Sequence, residues 1–151
     1  MKKLFLILTC ASLSFEASGP AGELKPFTKD DLEMLIEAEK EKAEILRLEP
    51  LIRAIVQVES SSGQNLYNKK ENAVGWFQIR QVRVDHYNAL RGTHYKLEDF
   101  YDYELSKEMF IYFARGKSFE QAAKDWNGSG KMTEKYWQKV KEILKREESK
   151  I

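Results

Sequence analysis

Apolar positions recur at helical spacing along most of the chain. Residues 28–49 combine this spacing with a dense charged face, and Thr28 with Asp31 three residues later resembles a capping arrangement. Pro50 is suited to the first turn of a second helix, which is apolar almost all round and is therefore expected to be buried. The run ESSSG at 59–63 predicts the end of that helix.

The rest of the chain predicts shorter elements. Asn, Gly and aromatic residues between 64 and 79 are typical of a loop, in which we allow a short hairpin. No internal repeat and no sustained strand pattern is found in the sequence. We predict a mostly α domain built round a buried central helix. The later helices are expected at 81–90, 103–114, 118–126 and 133–147.

The N-terminal residues 1–19 have the pattern of a secretory signal peptide, with lysines before an apolar run and small polar residues after it. The run holds about 12 residues, whereas a membrane-spanning helix needs about 20. We expect 20–49 to form a linker and an N-terminal helix, and 50–147 to form the main domain. The protein is expected to be exported to the periplasm or the exterior. Residues 7–10 loosely resemble a lipoprotein cleavage site, so a lipid anchor on Cys10 is the alternative.

Composition narrows the class of protein. With 42% hydrophobic residues and a net charge of +1, the chain is not an intrinsically disordered one. Positive and negative charges nearly balance, so the protein as a whole has no electrostatic field that would attract a polyanion. Nucleic acid is therefore not an expected partner. Cys10 is the only cysteine, and no disulfide is expected in the mature domain. The two histidines, His86 and His94, have no ligand cluster around them, so no metal or cofactor is expected.

Glu59 is the first candidate for chemistry. A carboxyl at the end of an apolar helix loses solvation, which raises its pKa and lets it hold a proton near neutral pH. Glycosidic cleavage needs such an acid to protonate the leaving oxygen. The alternative is a carboxylate at a solvent-exposed helix end.

Two further segments carry polar groups among apolar ones. Gln78 lies in the run NAVGWFQI and could orient a hydroxyl or acetamido group, or it could lie on the outer face of a strand or turn. Trp126 and Asn127 precede Gly128 at a predicted helix end. The alternative for that pair is a simple C-cap with the indole packed inside.

Together these segments resemble the catalytic domain of the lytic transglycosylases, in the lysozyme-like superfamily, from about Leu51 to Lys141. AIVQVES at 54–60 looks like the family's catalytic helix, and AVGWFQI at 73–79 looks like its Gly-Leu-Met-Gln-Ile segment. AAKDWNG at 122–128 resembles its Ala-Tyr-Asn-Ala-Gly motif, and YWQKV at 136–140 its closing helix. The order and rough spacing of the segments also match.

The resemblance implies a role for each matching residue. Glu59 is the sole catalytic acid and base, Gln78 a sugar-binding amide and Asn127 a polar contact that lines the cleft. Ser60 is expected to orient the substrate or the acid. Trp126 stands at the position where the family most often has a tyrosine. A tyrosine hydroxyl contact to the acid is therefore in doubt, although an indole could stack on a sugar.

The implied reaction is cleavage of the β-1,4 bond between N-acetylmuramic acid and N-acetylglucosamine in peptidoglycan, which leaves a 1,6-anhydromuramyl end without a cofactor. The expected partners are glycan strands and cell-envelope assembly proteins, and the expected state is a monomer. A hydrolytic muramidase on the same fold is one alternative, for which Asp85 is the candidate second carboxylate. A non-catalytic peptidoglycan-binding protein and a secreted helical domain with no sugar site are the others.

Overall fold

The computed structural model describes residues 28–149, and the predicted signal peptide and Cys10 lie outside this range. The described residues are mostly helical with one antiparallel hairpin, in which Tyr67 pairs with Val74. This confirms the predicted helical class and the short hairpin. The elements are α1 (Lys29–Ser60), β1 (Tyr67–Asn68), β2 (Ala73–Val74), α2 (Gln81–Arg91), a 3₁₀ helix (Leu97–Tyr101), α3 (Tyr103–Ala114), α4 (Phe119–Asn127) and α5 (Thr133–Glu148).

The prediction that a second helix starts at Pro50 is wrong, because α1 continues through this residue to Ser60. A proline inside a helix has no N–H to donate to the carbonyl four residues earlier. That carbonyl belongs to Leu46, which is 63% exposed, so water can replace the missing donor. Burial of Leu48 and Leu51 on either side of the proline holds the helix together. The domain boundary expected at 49/50 therefore falls within one continuous helix.

The predicted buried central helix corresponds to the C-terminal part of α1. From Leu48 onward this part packs against α3, α4 and α5. Phe77, Phe110 and Trp126 form an aromatic group in the same core. The α1 residues buried in the core are Leu48, Leu51, Ile52, Ala54, Ile55, Val56 and Ser60.

The N-terminal part of α1 is largely exposed. Thr28 and Asp31 form the predicted capping box at its start. Farther along, Glu41 forms an ion pair with Arg115, and Glu44 accepts hydrogen bonds from Arg47 and from the backbone N–H of Gly116. These contacts attach the helix to the turn after α3. No helix among residues 28–149 combines the length and apolar character needed to cross a membrane.

The segment after the hairpin depends on a glycine. Gly75 has φ +75°, and a Cβ at this position would overlap the carbonyl oxygen of Phe100. The same carbonyl accepts a 2.7 Å hydrogen bond from the buried Ser106 hydroxyl. Residues 75–79 are thereby placed between the 3₁₀ helix and the end of α1.

Candidate active site

Glu59 occupies the last turn of α1, with Ser61 closing the helix in the left-handed conformation. Its side chain is partly buried. The hydroxyl of Tyr136 donates a 2.6 Å hydrogen bond to Oε1 of Glu59. This contact joins the end of α1 to the first half of α5.

Burial raises the pKa of Glu59 to about 7, since the charged form loses solvation. The Tyr136 hydrogen bond and the positive charges of Arg83 and Arg80 oppose this rise, whereas the negative charge of Glu71 adds to it. A carboxyl with a pKa near neutrality can give up a proton and take one back at the same pH. This is the property expected for Glu59 from the sequence.

Tyr136 keeps its own proton, because burial and the negative charge of Glu59 raise its pKa well above the ordinary value. It is therefore a permanent hydrogen-bond donor to the carboxyl. The sequence singles out Tyr136 only within YWQKV at 136–140 and assigns no separate role to it. In the structure a tyrosine hydroxyl therefore reaches the Glu59 carboxyl from α5 and not from the position of Trp126.

Arg83 places a positive charge close enough to Glu59 to lower its pKa. Its guanidinium lies over the indole of Trp126, 4.1 Å from the ring centroid, and donates a 2.7 Å hydrogen bond to the Trp126 carbonyl. Because these contacts fix the guanidinium without a carboxylate, its charge is not neutralised by them. Sequence reasoning missed Arg83, since nothing in the pattern of α2 distinguishes it from its charged neighbours.

Gln78 has the left-handed φ of +48°. Its Nε2 donates to the carbonyl oxygens of Asn65 and Gly75, each at 3.0 Å. These two bonds fix the amide between the loop before β1 and the turn after β2. The side chain remains partly exposed, so a fixed amide faces solvent beside the hairpin.

Ser60 is fully buried, and its hydroxyl lies between three backbone groups. It is 3.0 Å from the Val56 carbonyl and 2.9 Å from the Trp76 carbonyl, and it accepts a hydrogen bond from Gly63 N–H. With no exposed surface, it is placed to hold the end of α1 against residues 75–78 and not to touch a sugar. A part in orienting the acid fits this placement.

Trp126 is 5% exposed and packs in the core, and its Nε1 donates to the Phe77 carbonyl at 3.2 Å. This corresponds to the alternative of an indole packed inside, and it leaves no ring face for stacking on a sugar. Asn127 is partly exposed at the end of α4, where its Nδ2 donates to Thr133 Oγ1 at 3.3 Å. Asn127 therefore connects α4 to the start of α5, the helix that carries Tyr136.

Asp85 lies on the exposed face of α2 and accepts a 2.8 Å hydrogen bond from Gln81. Glu71, in the connection between β1 and β2, pairs with Arg80 at 3.8 Å, and its negative charge adds to the rise in the pKa of Glu59. His86 and His94 are both exposed. Within residues 28–149 no group of three or more His, Cys, Asp and Glu side chains is arranged to hold a metal ion.

Comparison with protein families, curated proteins and solved structures finds no match to the chain. Its function therefore has to be inferred from the residues themselves.

Proposed function

We propose that the protein is a lysozyme-like lytic transglycosylase, which cleaves the β-1,4 bond between N-acetylmuramic acid and N-acetylglucosamine in peptidoglycan. The observation that carries the proposal is the Glu59 carboxyl at the end of a buried helix, with a pKa raised to about 7 and one oxygen held by Tyr136. The resemblance of three ordered sequence segments supports the same reaction. Peptidoglycan as substrate also agrees with the proposed export to the periplasm or exterior.

In the first step Glu59 acts as the acid. Tyr136 binds Oε1, so Oε2 is the oxygen left to carry the proton. Glu59 transfers this proton to the glycosidic oxygen as the bond to C1 of the muramyl residue breaks, and positive charge develops at C1. The carboxylate that forms is stabilised by the Tyr136 hydroxyl and by the positive charge of Arg83.

In the second step the same carboxylate acts as the base. It takes the proton of the muramyl C6 hydroxyl while that oxygen bonds to C1, which closes the 1,6-anhydro ring and returns Glu59 to its protonated form. The reaction balances with one carboxyl, and we include no metal or cofactor in it. A pKa near neutrality suits a group that must donate and accept a proton in one cycle.

The remaining site residues have supporting parts in this proposal. Gln78, fixed by Asn65 and Gly75, binds the sugar through its exposed amide, and Asn127 lines the cleft near the start of α5. Ser60 keeps the end of α1 in place, and Trp126 holds Arg83. We propose a monomer that acts on glycan strands, with cell-envelope assembly proteins as further partners.

A hydrolytic muramidase is the second candidate, and one observation favours it. Hydrolysis with inversion needs a second carboxylate to activate water on the opposite sugar face. The charge of Glu71 acts on Glu59, and Glu71 projects from the hairpin connection with about half of its side chain exposed. Glu71 therefore replaces Asp85 as the residue to test for this role.

The test is mass spectrometry of purified peptidoglycan digested by the mature protein and by Glu59→Gln. The transglycosylase predicts 1,6-anhydromuramyl products, which the variant fails to release. General acid catalysis contributes about 10²- to 10⁴-fold, so the variant should lose at least about a hundredfold in rate. Asp85→Asn is the matched control and should digest normally.

Reducing muramyl ends would contradict the transglycosylase. Such ends would show that the protein is a hydrolase, and their loss in Glu71→Gln would identify Glu71 as the second carboxylate. If the wild-type protein binds wall sacs and releases no product, it would be a non-catalytic peptidoglycan-binding protein. No binding and no release would favour a helical domain without a sugar site.

A further inference from the structure

A concave surface lies on another side of α1 from Glu59. It encloses about 530 Å³ and is bounded by α1, the turn after it, the start of α3 and the end of α5. We refer to it as the Trp76 depression. It is lined by Arg53, Val56, Gln57, Ser62, Trp76, Tyr103 and Glu147.

The Trp76 depression is separate from the candidate active site. At about 100° per residue in an α-helix, Arg53 and Gln57 point roughly 120° to 160° away from Glu59. Residues 75–78 lie between the two places, with Trp76 on the side of the depression and Gln78 fixed beside the hairpin. A group in the Trp76 depression is therefore not at the bond next to Glu59.

Two aromatic rings form the apolar part of the depression. Trp76 and Tyr103 pack edge to face with their centroids 5.3 Å apart. Gly63, at φ +85°, lies so close to the six-membered ring of Trp76 that a Cβ there would overlap it. Ser61 and Ser62 before it also have positive φ, so three successive left-handed residues lead into this contact. The indole is held rigidly and yet is only partly buried.

Polar groups surround the rings. Gln57 and Ser62 are exposed, so the amide and the hydroxyl are open to a ligand. Arg53 donates through Nε to Glu147 at 3.0 Å, and its side chain is 54% exposed. An apolar pocket with a few polar groups at its rim is the usual composition of a small-molecule site, and about 530 Å³ lies within the usual size range.

The charges indicate which kind of ligand fits. Arg53 and Glu147 neutralise each other, so the depression attracts neither an anion nor a cation. Exposed aromatic surface suits the apolar C–H face of a sugar ring, and amide, hydroxyl and guanidinium groups suit its hydroxyls and acetamido group. An uncharged N-acetylhexosamine meets these requirements.

We infer that the Trp76 depression is a secondary saccharide site, which takes an uncharged N-acetylhexosamine unit and holds glycan away from the bond that Glu59 cleaves. The inference rests on the proposed function in that it takes the bound polymer to be the same glycan. Trp76 stacks on the sugar ring, and Gln57 and Tyr103 hydrogen-bond its substituents.

The test is a titration of the Glu59→Gln protein with the trimer of N-acetylglucosamine, followed by tryptophan fluorescence and by the NMR signal of the Trp76 indole N–H. Trp126 and Trp137 are less than 10% exposed, so an emission change on binding reports mainly on Trp76. Removing one hydrogen bond with Gln57→Ala or Tyr103→Phe should weaken binding about threefold to tenfold. Asp85→Asn, on the exposed face of α2, should leave this binding unchanged.

Three results would overturn the inference. They are no response of Trp76 to the trimer, an affinity of Gln57→Ala and Tyr103→Phe equal to that of the parent protein, or a response to an alanyl-glutamyl peptide in place of the trimer. Circular dichroism of each variant separates loss of the site from loss of the fold. The digestion assay is independent of this titration. If wall digestion fails while Trp76 still binds the trimer, the proposed reaction is wrong and the saccharide site stands. If digestion proceeds while Trp76 does not bind the trimer, the saccharide site is wrong and the proposed reaction stands.

Discussion

The two ends of α1 share a secondary structure and differ in environment. Glu44, halfway along α1 and with its side chain 20% exposed, accepts hydrogen bonds from Arg47 and from Gly116 N–H, and these lower its pKa to about 2. Glu59, at the buried end, has a pKa raised to about 7, chiefly by burial. Two residues of one type, four turns apart on one helix, are thereby displaced in opposite directions from the ordinary value of 4.5.

The difference shows what makes a carboxyl useful as an acid. Glu44 gains donors that favour its charged form, so it stays ionised and serves to attach α1 to the turn after α3. Burial removes water from Glu59 and raises its pKa. The hydrogen bond from Tyr136 lowers the pKa again, but by less than burial raises it. Environment, and not helix position or residue type, separates a structural carboxylate from a candidate catalytic one.

The largest expected effect is on the pH dependence of stability at Glu59. Its folded pKa of about 7 exceeds the ordinary 4.5, so the folded state is favoured by protonation and loses stability as pH rises toward 7. A shift of about 2.5 units corresponds to about 3 kcal/mol. Glu59→Gln cannot ionise and keeps an oxygen for Tyr136, so it should be more stable than wild type by up to about 3 kcal/mol at pH 8.5. Urea unfolding measures this.

At pH 4 the wild-type carboxyl is mostly protonated in both states, and the advantage of Glu59→Gln should largely disappear. The same stability difference at pH 4 and pH 8.5 would mean that Glu59 is not desolvated. The contrast with Glu44 would then be lost.

The next effect concerns Tyr136→Phe. This change removes the hydroxyl that holds Oε1, and the loss of a hydrogen bond to a charged group costs about 1.5–3 kcal/mol. Wall digestion should slow by about 10- to 100-fold. Because the hydrogen bond lowers the pKa of Glu59, its removal should also move the alkaline limb of the pH–rate profile upward from about pH 7.

That shift separates positioning of the acid from a purely structural role for Tyr136. A slower enzyme with an unchanged alkaline limb would place the effect on folding or packing. Tyr67→Phe is a matched control, since Tyr67 is exposed on β1 and its hydroxyl contacts only Asn72 among the residues that the structure describes. It should leave both the rate and the profile unchanged.

Local patterns explain which parts of the structure were predictable. The serine-rich stop after Glu59, the cap at Thr28 and the helix at Tyr103–Ala114 depend on neighbours in sequence, and all three are found. Contacts between distant residues were not predictable in the same way. Glu59 and Tyr136 are 77 residues apart, and their meeting depends on how α5 is rotated against α1.

The inward placement of Trp126 has the same cause. Whether a side chain points into a core or a cleft is decided by packing between helices, which periodicity within one helix does not define. The prediction that a helix starts at Pro50 was wrong for a related reason. The local preference for a helix start was overcome by burial of Leu48 and Leu51 on either side.

Pro50→Ala tests whether the two ends of α1 belong to one helix. In a continuous helix alanine restores the donor to the Leu46 carbonyl and removes the roughly 3 kcal/mol preference against proline. Part of this gain is lost because the unfolded chain becomes more flexible. We expect a net stabilisation of about 1–2 kcal/mol in urea unfolding. No gain, or a loss, would indicate that proline begins a separate helix, where its missing N–H costs nothing.

The smallest effect is expected for Glu44→Gln, the counterpart of Glu59→Gln. The pKa of Glu44 is lowered, so the stability it contributes is present above the ordinary 4.5 and is lost as pH falls toward about 2. With Arg47 38% exposed at its side chain, screening by water reduces the effect, and we expect a destabilisation of about 1 kcal/mol at pH 7. Urea unfolding at pH 7 and pH 2 measures it.

The two glutamine variants should therefore change stability with opposite signs above pH 7. Glu44→Gln should approach wild type at pH 2, where the carboxyl of the wild-type protein gains its proton. A stabilising Glu44→Gln would mean that Arg47 and Gly116 do not hold this carboxylate in solution. The attachment of α1 to the turn after α3 would then depend on the remaining contacts, among them the ion pair between Glu41 and Arg115.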